Sequence, residues 1–89
     1  MEESDDKIIL GVAVVILNRR RELGLSQADL AQSAGLHRTY ISDIERGQRN
    51  LTLKTLVRLS SALAMSASEF MRLVEKEQTK LIGRETNKS

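Results

Sequence analysis

Ser26-Gln27-Ala28-Asp29-Leu30-Ala31-Gln32-Ser33-Ala34-Gly35-Leu36-His37-Arg38-Thr39-Tyr40-Ile41-Ser42-Asp43-Ile44-Glu45-Arg46-Gly47-Gln48-Arg49-Asn50 is the stretch on which the fold turns. Ser26 stands where a helix needs a side-chain cap, with Asp29 three residues on as the short form of a capping box. Gly35 ends this helix with the left-handed backbone that a residue without Cβ adopts freely. A second helix follows over about Arg38 to Arg46 and stops at Gly47. Two short helices crossing around such a turn leave room for little more than a methyl group, and Ala31 sits at the crossing. Leu30, Ala34 and Leu36 then point inward beside Ile41 and Ile44.

At about 100° per residue, Ile41, Ile44 and Glu45 share the inner face of the second helix. The outer face collects Thr39, Ser42, Asp43 and Arg46, with Arg38 and Tyr40 on opposite flanks. Hydrogen-bonding side chains exposed near the start of a short helix suit the base edges of a DNA major groove. Glu45, by contrast, turns toward the core, where a charge is costly unless paired. Arg20 lies on the same stripe of the preceding helix as Val12 and Ile16, so an Arg20–Glu45 salt bridge is expected.

Outward from this stretch the chain reads as all-α, a compact bundle of five helices. The first spans about Lys7 to Leu23 and ends at Gly24. Thr52 caps a fourth, in which Leu53, Leu56, Val57, Ser60 and Leu63 recur at helical spacing. Ser66 and Glu69 form a full capping box for the fifth, whose Phe70, Leu73 and Val74 share one face. Leu10, Val14, Val15 and Leu17 give the first helix more apolar surface than one core stripe needs. That surface calls for a second partner: the fifth helix, the N-terminal tail or another subunit.

The division expected is an acidic tail over residues 1–6, a domain over 7–77 and a polar tail over 78–89. Arg72, Lys76, Lys80, Arg84 and Lys88 recur at every fourth residue and read as a solvated face running into a frayed tail.

Eighty-nine residues make one small domain, which buries only about 60% of the surface its unfolded chain exposes, so association with a second copy would add stability. The absence of cysteine excludes disulfides and thiolate metal sites and fits a cytoplasmic setting. The apolar run over residues 8–17 is too short to cross a membrane. Acids precede it and Arg19, Arg20 and Arg21 follow it, the reverse of a signal peptide. Residues 19–58 carry eight basic against four acidic side chains, an excess compatible with phosphate binding. There is no catalytic set, glycine-rich phosphate loop or metal cluster, so no enzymatic activity, metal, cofactor or small-molecule ligand is expected. His37 reads as a cap or cover for the third helix. Arg19 and Arg21 read as solvent-exposed.

Over about residues 11–74 the chain resembles the lambda/434 repressor and Cro type of helix-turn-helix, the XRE family, in its glutamine, alanine, glycine and two isoleucines. A narrower likeness lies in Leu36-His37-Arg38-Thr39-Tyr40-Ile41-Ser42, then Glu45-Arg46 and Arg49-Asn50-Leu51-Thr52-Leu53. These are similar to the controller proteins of restriction-modification systems, small dimers that bind near their own promoter and time expression of the endonuclease. The chain departs from relatives at Ala64-Met65, where a glycine often closes the fourth helix.

The resemblance implies double-stranded operator DNA as partner. Arg38, Thr39, Ser42 and Asp43 would face the groove, with Arg38 placed for a bidentate contact to guanine. Gln27, Tyr40, Arg46, Arg49 and Asn50 would contact the DNA backbone. One short reading helix supplies too few contacts for operator-level specificity, so a homodimer on a pseudo-palindrome is expected. Phe70, Met71, Leu73 and Val74 are its candidate interface, and RNA polymerase is a further candidate partner. The alternatives are a phage-type repressor, an antitoxin, or a helical adaptor of the transcription machinery that reads no DNA. An adaptor has no need of Arg38, Thr39 and Ser42 facing outward together.

Overall fold

The computed structural model describes the backbone of residues 2–87 and the side chains of residues 7–83; the side chains of the acidic tail and of Arg84 and Lys88 lie outside them. Five helices follow one another: α1 (Glu2–Glu22), α2 (Gln27–Ala34), α3 (Arg38–Glu45), α4 (Leu53–Ala62) and α5 (Ala67–Asn87). α1 begins five residues earlier than the apolar pattern indicates. α5 carries on to Asn87 in place of a frayed tail, with Leu81 set beside Leu10, Val14 and Leu17 of α1.

The caps are the reverse of expectation. Ser26 and Asp29 make the complete box, with Asp29 N donating to Ser26 Oγ (2.9 Å) and Ser26 N donating to Asp29 Oδ2 (3.0 Å). The hydrogen bonds from the Ser26 backbone and side chain hold the Asp29 carboxyl below the ordinary carboxylate range. At α5 only half the box forms. Glu69 N donates to Ser66 Oγ, but the Glu69 carboxylate is taken by Arg72 at 2.8 Å. Gly35 has φ +70°, and Leu36 N closes the end of α2 onto Ala31 O at 2.8 Å. Ala64 keeps the same left-handed turn after α4 with φ +60°, the sole such non-glycine among the described residues. The connection to α5 is therefore that of a glycine turn, at a steric cost of roughly 1–2 kcal/mol.

Ile16, Leu30, Ile41, Ile44, Leu59, Leu63, Phe70 and Val74 form the solvent-free centre. α4 keeps part of the stripe its apolar spacing indicates: Ser60 and Leu63 face inward together with Leu59, and Leu56 packs against the core, while Leu53 is 78% and Val57 50% exposed. The buried Ser60 hydroxyl donates to Leu56 O within the helix. The extra apolar surface of α1 has two fates. Val15 joins the core, and Leu10, Val14 and Leu17 line a groove closed on one side by Leu81 of α5. Arg19, expected in solvent, instead donates from Nε to Leu63 O at 2.9 Å and so caps the end of α4.

α1 and α5 cross where Gly11 removes the side chain: a Cβ there would lie 3.0 Å from Val74 O and 3.5 Å from Val74 Cγ1. Glycine inside a helix costs about 1 kcal/mol relative to alanine, and here that cost secures the approach of two backbones. Gly11→Val should therefore destabilise by about 1–3 kcal/mol through overpacking. Gly83, also helical, has no atom within 4 Å of such a Cβ, so Gly83→Ala should stabilise by about 0.5–1 kcal/mol. Thermal melting of the two variants checks this, and an unchanged midpoint for Gly11→Val would contradict the crossing.

Candidate nucleic-acid interface

α2 and α3 cross with Ala31 and Ala34 of α2 buried and Ile41 and Ile44 of α3 fully so. This leaves one long edge of α3 facing out. Arg38 and Thr39 are exposed at its start. His37 occupies the N-cap position by its backbone, with Ile41 N donating to His37 O, and its side chain makes no cap hydrogen bond.

The inner anchor of α3 is ionic. Arg20 Nε donates to Glu45 Oε2 at 2.6 Å and Arg20 Nη2 to Glu45 Oε1 at 3.1 Å, while Arg20 Nη1 reaches Leu25 O at 2.8 Å. The side chains are 12% and 6% exposed, so α1 and α3 are joined by a nearly dry, two-point ion pair. The hydrogen bonds to Glu45 raise the Arg20 pKa from its ordinary value, against the lowering that burial brings.

Gln27 stands beside this pair, with Nε2 donating to Glu45 Oε1 at 2.9 Å and Oε1 accepting from Arg38 Nη1 at 3.3 Å. One N–H of the Gln27 amide, the group that the resemblance assigns to phosphate, is thus engaged with Glu45.

Ser42 and Asp43 are half-covered because arginines fold over them. Arg46 Nη1 donates to Ser42 Oγ at 2.5 Å and Arg46 Nη2 to Asp43 Oδ1, and Arg49 Nε donates to Asp43 Oδ2 at 3.3 Å. The Arg49 guanidinium also lies 5.1 Å from the centre of the Tyr40 ring, within range of cation-π attraction. The Tyr40 hydroxyl donates to Asn50 O at 3.4 Å, tying α3 to the loop that follows it. Arg46, Arg49 and Asn50 are exposed, as Arg38 and Thr39 are. A carboxylate between two arginines organises this cluster, a role the sequence could signal only through its i,i+3 spacing to Arg46.

The candidate dimer residues separate. Phe70 and Val74 have no exposed surface and belong to the core of a single chain, packed under α1, so they cannot face a second copy without unfolding. Met71 and Leu73 keep some surface but sit two positions apart, about 200° around the helix, on opposite flanks. Met71 borders an apolar groove with Ile8, Ile9, Leu51 and Leu56, next to Arg49 and Asn50. In the basic stripe of α5, Arg72 is paired with Glu69 and Lys80 with Glu77. Among the described residues no cluster of His, Asp and Glu could hold a metal, and no helix is long and apolar enough to cross a membrane.

A family profile described as helix-turn-helix matches residues 16–70. Control protein C.SmaI of Serratia marcescens is 51% identical over 47 residues, 53% of this chain and 56% of that protein. Control protein C.MunI of a Mycoplasma species is 41% identical over 59 residues, 66% of this chain and 80% of that protein. The chain thus spans little more than half the length of C.SmaI. The solved restriction-modification controller protein C.Esp1396I superposes with a TM-score of 0.75 at 42% identity, covering 82% of this chain and 95% of that one. The same protein has been solved as a tetramer on its natural 35 base-pair operator. With α2 and α3 locked at a fixed angle and these relatives matching across them, the chain belongs to the helix-turn-helix family of the lambda repressor-like, XRE type, in its restriction-modification controller branch.

Proposed function

We propose that the chain is a sequence-specific DNA-binding transcriptional regulator, a restriction-modification controller that binds a pseudo-palindromic operator as a homodimer. The observation that carries this reading is the outward edge of α3, where Arg38 and Thr39 stand exposed on a helix whose opposite side is locked to α1 by Arg20 and Glu45. A guanidinium held near the start of a rigid helix suits the O6 and N7 of guanine. Thr39, Ser42 and Asp43 complete the reading face, Ser42 and Asp43 once Arg46 and Arg49 swing from them to phosphates. Tyr40, Arg46, Arg49 and Asn50 hold the DNA backbone. Gln27 also belongs to the contact surface, at the first turn of α2.

The relatives support these roles. Solved variants of C.Esp1396I replace a consecutive arginine, threonine and tyrosine, the order in which Arg38, Thr39 and Tyr40 stand here. Residues 7–77 carry the DNA-binding and dimerising surfaces, and α5 continues past them with Leu81 set against α1. For the two-fold contact we favour the Met71 side of α5, with Ile8, Ile9, Leu51 and Leu56, since it adjoins the Arg49-Asn50 clamp. The chain works in the cytoplasm without catalysis or cofactor, and RNA polymerase is the partner through which it would activate transcription.

The test is to let the wild-type protein select from a randomised duplex pool, then compare the selected duplex with a scrambled one of equal composition. The expected preference is at least about 10³-fold at physiological salt, with affinity for both falling steeply as salt rises. Equal affinity for the two duplexes would overturn the reading.

A further inference from the structure

Asp43 lies on the outer face of α3, yet its side chain is only 18% exposed, because two guanidiniums close over it. Arg46 Nη2 donates to Oδ1 and Arg49 Nε to Oδ2 at 3.3 Å, while Arg46 Nη1 donates to Ser42 Oγ at 2.5 Å. Each carboxylate oxygen thus has its own arginine. These are the two arginines assigned above to phosphates, and N–H groups committed to a carboxylate are withheld from a phosphate. Asp43 and DNA compete for the same donors.

Moving Arg46 and Arg49 to phosphates would leave an ionised carboxylate against DNA with no donor, which is costly unless another donor reaches it. On the floor of the major groove the donors are the amino groups, N4 of cytosine and N6 of adenine. Each base pair carries one, on one strand. A carboxylate held at a fixed place therefore meets a donor for one strand order and an acceptor for the reverse. We propose that Asp43 is a specificity-determining residue that couples the phosphate clamp to sequence: Arg46 and Arg49 pass to phosphates where a base amino group replaces them on the carboxylate, and stay on Asp43 elsewhere. The inference rests on the reading of α3 as the recognition helix. It makes two phosphate contacts, which by themselves carry no sequence information, conditional on the base pair that Asp43 meets.

Asp43→Ala tests this, because it removes the carboxylate and places a strong helix former in α3. On the scrambled duplex its affinity should rise about tenfold, from two freed arginines in each of two subunits at about twofold per exposed ion pair. The slope of log affinity against log salt on that duplex should steepen by about 0.9 for each phosphate gained. On the duplex selected by the wild-type protein, affinity should fall about tenfold: a hydrogen bond worth about tenfold is lost in each subunit, and the freed arginines offset part of the loss. In a background with both Arg46→Ala and Arg49→Ala, Asp43→Ala should leave affinity for the scrambled duplex unaltered.

Opposite signs on the two duplexes are the mark of the coupling. Tighter binding to both would leave Asp43 a charge that does not read, and a loss on the selected duplex without a gain on the scrambled one would make it a base contact independent of the clamp. A gain on the scrambled duplex that persists without Arg46 and Arg49 would show direct repulsion of phosphate. Each of these results overturns the proposal. Thermal melting separates any loss of folded protein. Failure of the wild-type chain to select any sequence would overturn the DNA-reading assignment itself, and this inference with it.

Discussion

Arg20→Ala destabilises the chain by about 3–5 kcal/mol, whereas Arg21→Ala, one residue on, stays within about 0.5 kcal/mol. The difference comes from surroundings. Arg21 is exposed, while the Arg20 side chain is 12% exposed and makes two bonds to Glu45 and one to Leu25 O. Removing it leaves the Glu45 carboxylate nearly buried with Gln27 as its remaining donor, and an uncompensated charge in that position cannot recover its hydration. In a domain of this size each kcal/mol moves the unfolding midpoint by roughly 4–8 °C, so the drop is about 12–40 °C. Glu45→Ala should be similarly costly, since it strands the guanidinium. Thermal or urea unfolding of the three variants checks the result, and equal midpoints for Arg20→Ala and Arg21→Ala would show that the pair does not hold α3 to α1.

Arg38→Ala should abolish most discrimination between the selected and the scrambled duplex while leaving the fold intact. Arg38 is exposed and bonds within the chain to Gln27 at 3.3 Å, so stability should change by no more than about 0.5 kcal/mol. A bidentate arginine-guanine contact is worth about 1–3 kcal/mol, and a dimer makes it twice. The expected loss on the selected duplex is therefore about 30-fold to about 10⁴-fold, against a much smaller loss on the scrambled one. Binding isotherms at one salt concentration measure both. An equal loss on the two duplexes would make Arg38 a phosphate contact and remove the basis for reading α3 as the recognition element.

These two residues illustrate what was legible before any coordinates. The Arg20–Glu45 pair follows from helical angle alone: an acid beside Ile41 and Ile44 needs a cation, and Arg20 shares a stripe with Val12 and Ile16. The glycine turn and the exposed edge of α3 follow from the same arithmetic. α4 was less legible. Leu53 and Val57 continue an apolar spacing as well as Leu59 does, yet they face outward, because α5 and α2 cover the Leu59-Leu63 side. Leu59 itself was open to detection, four residues before Leu63 and three after Leu56.

Phe70 and Val74 show a further ambiguity. An apolar stripe has the same pattern whether it meets its own chain or a second copy, and α1 claims it through the approach at Gly11. Arg19 carries no sequence mark of its bond to Leu63 O, which joins residues 44 positions apart.

By itself the sequence determined the all-α class, the α2-turn-α3 unit, its ionic anchor and its membership in the helix-turn-helix family, because periodicity, caps and glycine turns are local properties of a chain. Tertiary structure alone decided which apolar faces are enclosed, how far α1 and α5 extend, that Arg46 and Arg49 close over Asp43, and which end of the Gln27 amide points outward. Those outcomes depend on atoms brought together from distant positions, where one carbonyl or carboxylate a few ångströms away chooses between orientations that are equivalent along the chain.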